Sequence, residues 1–397
     1  MFRHQLAMSM GARAQGPLGL GVNEQKVLVV APSVLSGVLK LPPSKSHAMR
    51  WLTLASMDEN PTKITMWEIG NDVQAMIDCW HKLGIKLNGD MMTGGDLSQP
   101  ADVLDCVNSG TALRFLIAQS ATCNFPIVLD GDTSLRARSS LHLMESLDVA
   151  FSNEGNNCEY PLKVHGPFNK EIVEIDVSKT SQFYSAIMLM APRTNGFTLL
   201  PKGDAVSRRH SALTWELCQL TGAKEPGVPW DVNCPDINIP PDASMMAFAK
   251  LASLDVENPP EEYESIGHSL ENSVLRDSND LITPMAAWLS MSNGGIISGA
   301  AHAAHKESNR ITRTVEMLSK FGIESSATSD GIIVKGGQVP RRPEGVVATY
   351  GDHRIQMTAI ILAGICGGEI EGSTLHEVAW PSYIEQLQSC GLVIESK

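Results

Sequence analysis

One hydrophobic rhythm recurs along the chain. A stretch with apolar residues every three or four positions ends in a leucine and a small turn, and a short run rich in Val and Ile usually follows. The clearest copy is NDVQAMIDCWHKLGIKL. There Val73, Met76, Ile77, Trp80 and Leu83 fall on one helical face, and Gly84 supplies the C-terminal turn. Looser copies are RARSSLHLMESLDVAF, VSRRHSALTWELCQLTGA, SNRITRTVEMLSKFGIE and SYIEQLQSCGLVIE. The segments KVLVV, KITMWEI, PIVLD, EIVEI and GIIVK between them read as strands. Roughly 65 to 100 residues separate the copies, which fits neither βαβ alternation nor a solenoid repeat of about 20–50 residues. The pattern predicts about six α+β units, each with one or two helices and a few strands. Residues 255–280, acidic and carrying Pro259-Pro260, have the weakest pattern and read as a loop-rich connection.

Composition narrows the class. The 397 residues correspond to two or three domains at roughly 150 residues each. With 43% hydrophobic and 19% charged residues, wholesale disorder is excluded. Lys+Arg 31 against Asp+Glu 44 leaves a net charge of -13, which argues against a nucleic-acid partner. The eight cysteines form no C-x-x-C pair and sit mostly in apolar stretches, the usage of reduced thiols in a cytoplasmic protein without a structural metal. No apolar run approaches the ~20 residues of a membrane span. Residues 1–26, with Arg3, Arg13, no acid before Glu24 and much glycine, read as a disordered extension.

In this acidic chain the basic residues cluster beside small residues at predicted helix starts, where backbone amides also point outward. PPSKSHAMRWL offers Lys45, Ser46 and Arg50, with the helix predicted to start near Ser46. NSGTALRFL offers Asn108, Ser109, Gly110 and Thr111, with Arg114 one turn in. GDTSLRARSS carries Arg136 and Arg138. SKTSQFYSAIMLMAP opens on Thr180, Ser181 and Gln182, and its helix is apolar on nearly every face, so it belongs in a core. DAVSRRH has Ser207, Arg208, Arg209 and His210; HKESNRITR has Lys306, Glu307 and Arg310. Asp352, His353 and Arg354 precede a last apolar helix. Each cluster alone also reads as an ordinary helix cap with a solvated cation. Together they describe several helix N-termini meeting at a polyanion, where guanidinium groups bind phosphate or carboxylate in bidentate fashion.

These same segments carry a family resemblance. SKSHAMR, NSGTALR, SLRAR, TSQFYSAIMLMAP, PPDAS, KESNRI and GDHRIQM stand in the order and approximate spacing of the 5-enolpyruvylshikimate-3-phosphate synthase (3-phosphoshikimate 1-carboxyvinyltransferase) family, from about Val27 to the end of the chain. The resemblance implies an α/β fold of six α+β units in two domains, arranged as two inside-out α/β barrels that close over the substrates. It places 27–44 with 243–397 in one domain and 45–242 in the other. It also implies a monomer whose partners are two small molecules, shikimate 3-phosphate and phosphoenolpyruvate, with no metal or organic cofactor. The implied contacts to shikimate 3-phosphate are Lys45, Ser46, Arg50, Thr180, Ser181, Gln182, Ser207, Asp280 and Lys306. Those to phosphoenolpyruvate are Lys45, Gly110, Arg138, Gln182, Arg310, His353 and Arg354. The implied catalytic groups are Asp280, accepting the proton of the attacking 5-hydroxyl, and Lys45 with Glu307, handling the proton at the enol methylene. Closure is expected to raise the pKa of Glu307 so that it serves as an acid.

The sequence also departs from the family pattern. Val378 stands where a Lys usually precedes the aromatic-Pro pair, with His376 nearby as the one candidate substitute. Asn309 replaces the usual Asp, His302 replaces an Asn, and Arg209-His210 replaces Pro-Tyr. These changes keep two other readings open: a paralogous enolpyruvyl transferase acting on another phosphorylated cyclic alcohol, and a non-catalytic binding protein of the same fold. UDP-N-acetylglucosamine enolpyruvyl transferases carry a Cys before the Arg that aligns with Arg138 and an Asn after the Lys. Here those positions are Thr133 and Ser46.

Overall fold

A computed structural model of the chain describes residues 26–153, 159–261 and 273–397. The predicted N-terminal extension (all but Lys26), Cys158, and 262–272 of the loop-rich connection lie outside the described residues.

Alternation of apolar and polar positions sets the sheets, and all-round apolarity sets what they cover. In Val27–Ala31, Leu28 and Val30 point inward while their neighbours are half-buried. The strand pairs antiparallel with Gly368–Glu371 on one side and Val393–Ser396 on the other, in register Leu28↔Ile370 and Leu28↔Ser396. This brings residues near the two ends of the described chain into one sheet. The apolar helices instead go to the middle. Lys45–Ala55, Gly110–Ala121 and Ser181–Met190 pack on one another at the centre of one hydrophobic core. Met246–Leu251, Ile282–Met291 and His353–Cys366 do the same in a second core.

Each core is wrapped by three sheets. Around the first lie two four-stranded sheets and the parallel pair Ile172–Asp176 and Thr198–Lys202. Around the second lie the four-stranded sheet just described, the antiparallel sheet Gly295–Ile297, Ile332–Val334, Ser325–Ala327, and the short parallel pair Asp255–Val256 and Val38–Leu39. Six sheets over six interior helices, among the described residues, match the six units expected from the hydrophobic rhythm. The amphipathic helices lie further out. In Asn71–Lys82 the predicted face Val73, Met76, Ile77 and Trp80 is buried, and Gly84, just past the cap, adopts φ +89. No described helix is long and apolar enough to cross a membrane.

The first core draws on residues from Ala48 to Ile239, the second on Leu28–Leu41 and on residues from Met245 to Ile394. The chain passes between them twice, side by side. Pro43 and Pro241 form an antiparallel bridge, Ser44 N donates to Pro240 O (2.7 Å) and Asp242 N donates to Pro42 O (2.8 Å).

Two local expectations are corrected and a third, the helix start near Ser46, is refined by one residue. The strand expected at KITMWEI is only Thr62–Thr65. Beyond it the chain bends toward the second core, and the Trp67 indole donates to Leu41 O (3.1 Å) instead of continuing a ladder. The first interior helix starts at Lys45, because the Ser44 hydroxyl caps it. His353 and Arg354 lie in the first turn of the last interior helix, with Asp352 as its cap, because the Asp352 carboxylate accepts from Arg354 N (2.9 Å).

Candidate active site

The predicted polar helix mouths open where the two cores face each other. From the first core comes Lys45, whose ammonium donates to Asp72 Oδ2 (2.8 Å). Asp72 lies in the first turn of Asn71–Lys82, where a carboxylate also complements the helix dipole. Ser109 caps Gly110–Ala121 by accepting from Ala112 N. A Cβ on Gly110 would displace the Arg114 guanidinium and sit 3.2 Å from Arg138 Nη1, so a side chain here would push on the two arginines of this mouth. Arg138 Nη2 donates to Asn108 O (2.8 Å) and Asn108 Oδ1 (2.6 Å). Thr180 caps Ser181–Met190, and Gln182 Nε2 donates to Thr111 Oγ1 (3.1 Å), tying the second and fourth clusters together.

From the second core comes Arg310, 1% exposed and clasped by three carboxylates. Its Nε donates to Asp352 Oδ2 (2.8 Å), Nη1 to Asp280 Oδ1 (2.6 Å) and Nη2 to Glu307 Oε2 (2.5 Å). Asp352 is wholly buried and also accepts from Ser308 Oγ (3.0 Å). Arg354 Nη2 donates to Ser244 Oγ (2.8 Å) and Nη1 to Asp280 O (3.1 Å). His353 is buried beside them, and its Nε2 has no hydrogen-bond partner among the described residues.

The two sides touch. Ser134 Oγ donates to Glu307 O (3.3 Å). Ser207, held at φ +49, accepts from Asn279 Nδ2 (3.2 Å) and lies 3.4 Å from His302 Nε2. Arg208 forms a bidentate pair with Asp277 across the same seam.

The electrostatics follow from this crowding. Burial alone would raise the pKa of Glu307, but the cations Arg310, Arg138 and Lys45 outweigh it and hold the carboxyl well below its usual range. With these three cations at hand the ligand-free Glu307 is a carboxylate, opposite in direction to the shift expected on closure. Burial likewise opposes ionisation of Asp280, and Lys306, Arg354, Arg310 and His210 overcome it, again to well below the usual range. Burial would lower Lys45, yet the Asp72 and Glu307 carboxylates raise it. Lys306 moves the other way, lowered by burial and by Arg310 and Lys45, with Asp280 and Glu307 opposing. His353 is pushed far below its usual value by burial and by Lys45, Arg354 and Arg310, so its ring is neutral.

Lys45, Arg138 and Arg310 thus act on Glu307, and Lys306, Arg310 and Arg354 on Asp280. Other basic residues of the clusters point elsewhere. Arg50 is 2% exposed and bonds inward, to Thr214 Oγ1 (2.6 Å), Ser46 O (2.8 Å), His210 O (2.9 Å) and Ser185 Oγ (3.4 Å). Burial lowers its pKa to about 10. Arg136 pairs with Asp130. His376 does not take the place of the absent lysine: its ring is buried 6.3 Å from that of Tyr383, and its backbone N–H donates to Gln356 Oε1. Sequence reasoning missed Asp72, Asn279 and Ser244 as partners of the site. Only Ser244 had a visible signal, within PPDAS.

Besides His353, lowered imidazole pKa values at the half-buried His47 and at the buried His302 and His376 make stability depend on pH. Burial, with Arg50 for His47 and Lys306 for His302, lowers His47, His302 and His376 to about 4. Their contribution is complete above about pH 6.5, the unfolded value, and is lost as pH falls through 4. Urea unfolding is expected to show lower stability at pH 5 than at pH 7; equal or higher stability at pH 5 would contradict these neutral rings.

The chain is similar to known proteins in sequence and in fold. The sequence profile of the EPSP synthase (3-phosphoshikimate 1-carboxyvinyltransferase) family matches residues 29–224 and 232–387. The 3-phosphoshikimate 1-carboxyvinyltransferase of Korarchaeum cryptofilum (strain OPF8) is 31% identical over 92% of this chain and 99% of its own length. That of Methanothermobacter thermautotrophicus is 27% identical over 90% of this chain and 96% of its own. Among solved structures, EPSP synthase from Acinetobacter baumannii superposes with TM-score 0.72 and 20% identity, covering 94% of this chain and 100% of that one, which speaks for the fold.

Proposed function

The chain belongs to the EPSP synthase (3-phosphoshikimate 1-carboxyvinyltransferase) family, and from that premise we infer that it transfers the enolpyruvyl group of phosphoenolpyruvate to the 5-hydroxyl of shikimate 3-phosphate, releasing phosphate. The observation that best supports this reading is the meeting of Lys45 and Arg138, from one core, with Lys306, Arg310 and Arg354, from the other, around the two carboxylates Glu307 and Asp280. We take the two cores as the two domains, 27–44 with 243–397, and 45–242.

Two metabolites carrying phosphate and carboxylate groups suit such a cleft. Shikimate 3-phosphate is assigned to Lys45, Ser46, Thr180, Ser181, Gln182, Ser207, Asp280 and Lys306. Arg50 serves it from behind, through Ser46 and His210. Phosphoenolpyruvate is assigned to Lys45, Gly110, Arg138, Gln182, Arg310, His353 and Arg354. Its anionic groups replace the carboxylates that now occupy Arg310, which frees Glu307 and Asp280 for proton transfer. Asp280 accepts the 5-hydroxyl proton as the oxygen attacks C2. Lys45 and Glu307 deliver a proton to C3, giving a methyl group in the tetrahedral adduct, and recover one when phosphate leaves. The fixed cations stabilise the charge that develops on the phosphate, and the apposed cores hold both ligands away from water.

Transient formation of a methyl group gives a direct test. Turnover in D2O should place deuterium in the product's enol methylene; a product wholly free of deuterium would contradict protonation at C3.

Val378 yields a second expected result. With Lys45, Glu68 and Gly70 it lines a cavity of about 10 Å³, room for one water. Glu68 Oε2 accepts from Ser382 N (3.1 Å), while its Oε1 is buried without a hydrogen-bond partner among the described residues. Val378→Lys is expected to lower the KM for phosphoenolpyruvate about fivefold, or ~1 kcal/mol. Val378→Lys with Glu68→Gln should lower it further, because Glu68 then no longer captures the new ammonium. An unchanged KM in both variants would contradict this account.

A further inference from the structure

A second hollow, of about 310 Å³, opens beside the crossing strands and shares no residue with the site above. Its size is within the range of small-molecule sites. Trp67 contributes an indole that is 41% exposed yet fixed in place, because its Nε1 donates to Leu41 O (3.1 Å). Val38, 55% exposed, adds aliphatic surface. Lys40 Nζ lies over the Trp67 ring, 4.8 Å from its centroid, and only within 4.0 Å of Glu257 Oε1. Glu385 brings a second carboxylate from the helix Tyr383–Ser389. The backbone of Lys40 is clamped by Gln386, whose Oε1 accepts from Lys40 N (2.7 Å) and whose Nε2 donates to Lys40 O (3.1 Å), so the group is pre-set.

One ammonium, two carboxylates, an aromatic face and an aliphatic wall within one small hollow define a ligand chemistry. We propose that this hollow binds an L-α-amino acid with an apolar or aromatic side chain. Its ammonium goes to Glu257 and Glu385, its carboxylate to Lys40, and its side chain lies along Trp67 and Val38. A ligand carrying the cation alone leaves Lys40 in competition with it. One carrying the anion alone meets two carboxylates and a single ammonium. A body without side chain leaves the indole face uncovered.

The test is calorimetric titration of the full chain, without substrates, at low ionic strength. L-phenylalanine is expected to bind with a Kd of about 1 mM or tighter. Glycine, phenethylamine and 3-phenylpropionate, each lacking one element, should bind at least about tenfold more weakly, a difference of roughly 1.4 kcal/mol. Trp67→Ala and Glu385→Ala should each weaken L-phenylalanine by a similar factor. The second substitution is on an exposed position and keeps the test valid if the first impairs folding. No heat with L-phenylalanine at concentrations well above 1 mM, equal binding of the one-charge analogues, or unchanged affinity in folded Glu385→Ala would each overturn the proposal. Because no substrate is present, these outcomes are independent of whether the catalytic reading holds.

Discussion

Arg310→Met is expected to lower turnover by at least about a thousandfold and to cost the fold roughly 3–5 kcal/mol. Both effects have one cause. Arg310 is almost wholly buried and is the common donor to Asp280, Glu307 and Asp352. Its removal leaves the Asp352 carboxyl, in a site with no exposure, with the Ser308 hydroxyl and the amide of Arg354 as its remaining side-chain hydrogen-bond partners among the described residues. Arg310→Lys should fold better, since one charge remains. It should still lose roughly 10²–10³ in kcat/KM, because a single ammonium cannot span the positions of the guanidinium fork. Urea unfolding and steady-state rates measure the two losses separately. Near-native rates in Arg310→Lys would remove Arg310 from the site.

Glu307→Gln is expected to fall in kcat by about 10²–10⁴ with little change in the KM for shikimate 3-phosphate. The amide keeps the shape and can still accept from Arg310, so binding and folding are largely spared while proton transfer at C3 is lost. Asp280→Asn removes the partner of the 5-hydroxyl and should act on kcat in the same way. If either amide variant kept full kcat, its proton-transfer role would fall.

Much of this site was legible in the sequence because its helices begin at it. A polar mouth before an all-apolar helix can be read locally, and Ser109, Thr180 and Asp352 do cap such helices. At two of these mouths the cap and a cation coexist: Ser44 caps the helix that begins with Lys45, and Asp352 caps the helix that carries Arg354 in its first turn. The pattern could not reveal pairings made between distant elements. Lys45 meets Asp72 on another helix, and Arg310 collects carboxylates from 30 and 42 positions away. The expected rise in the pKa of Glu307 rested on closure over the substrates; the cations that hold it down in the ligand-free chain, Arg310, Arg138 and Lys45, are brought together only by tertiary placement. Arg50 and Arg136 share the composition of the site clusters, yet Arg50 turns into the fold and Arg136 pairs with Asp130. The strand expected through Ile69 failed for a related reason. Trp67 and Glu68 make their hydrogen bonds to the second core, and this takes the chain out of the sheet.

Phosphate release by the purified, folded protein tests the account most directly. With phosphoenolpyruvate and shikimate 3-phosphate together, phosphate should appear in step with consumption of both; with either alone, none should. No release with both present, or equal release from phosphoenolpyruvate alone, would contradict the assignment of one cleft to two acidic substrates.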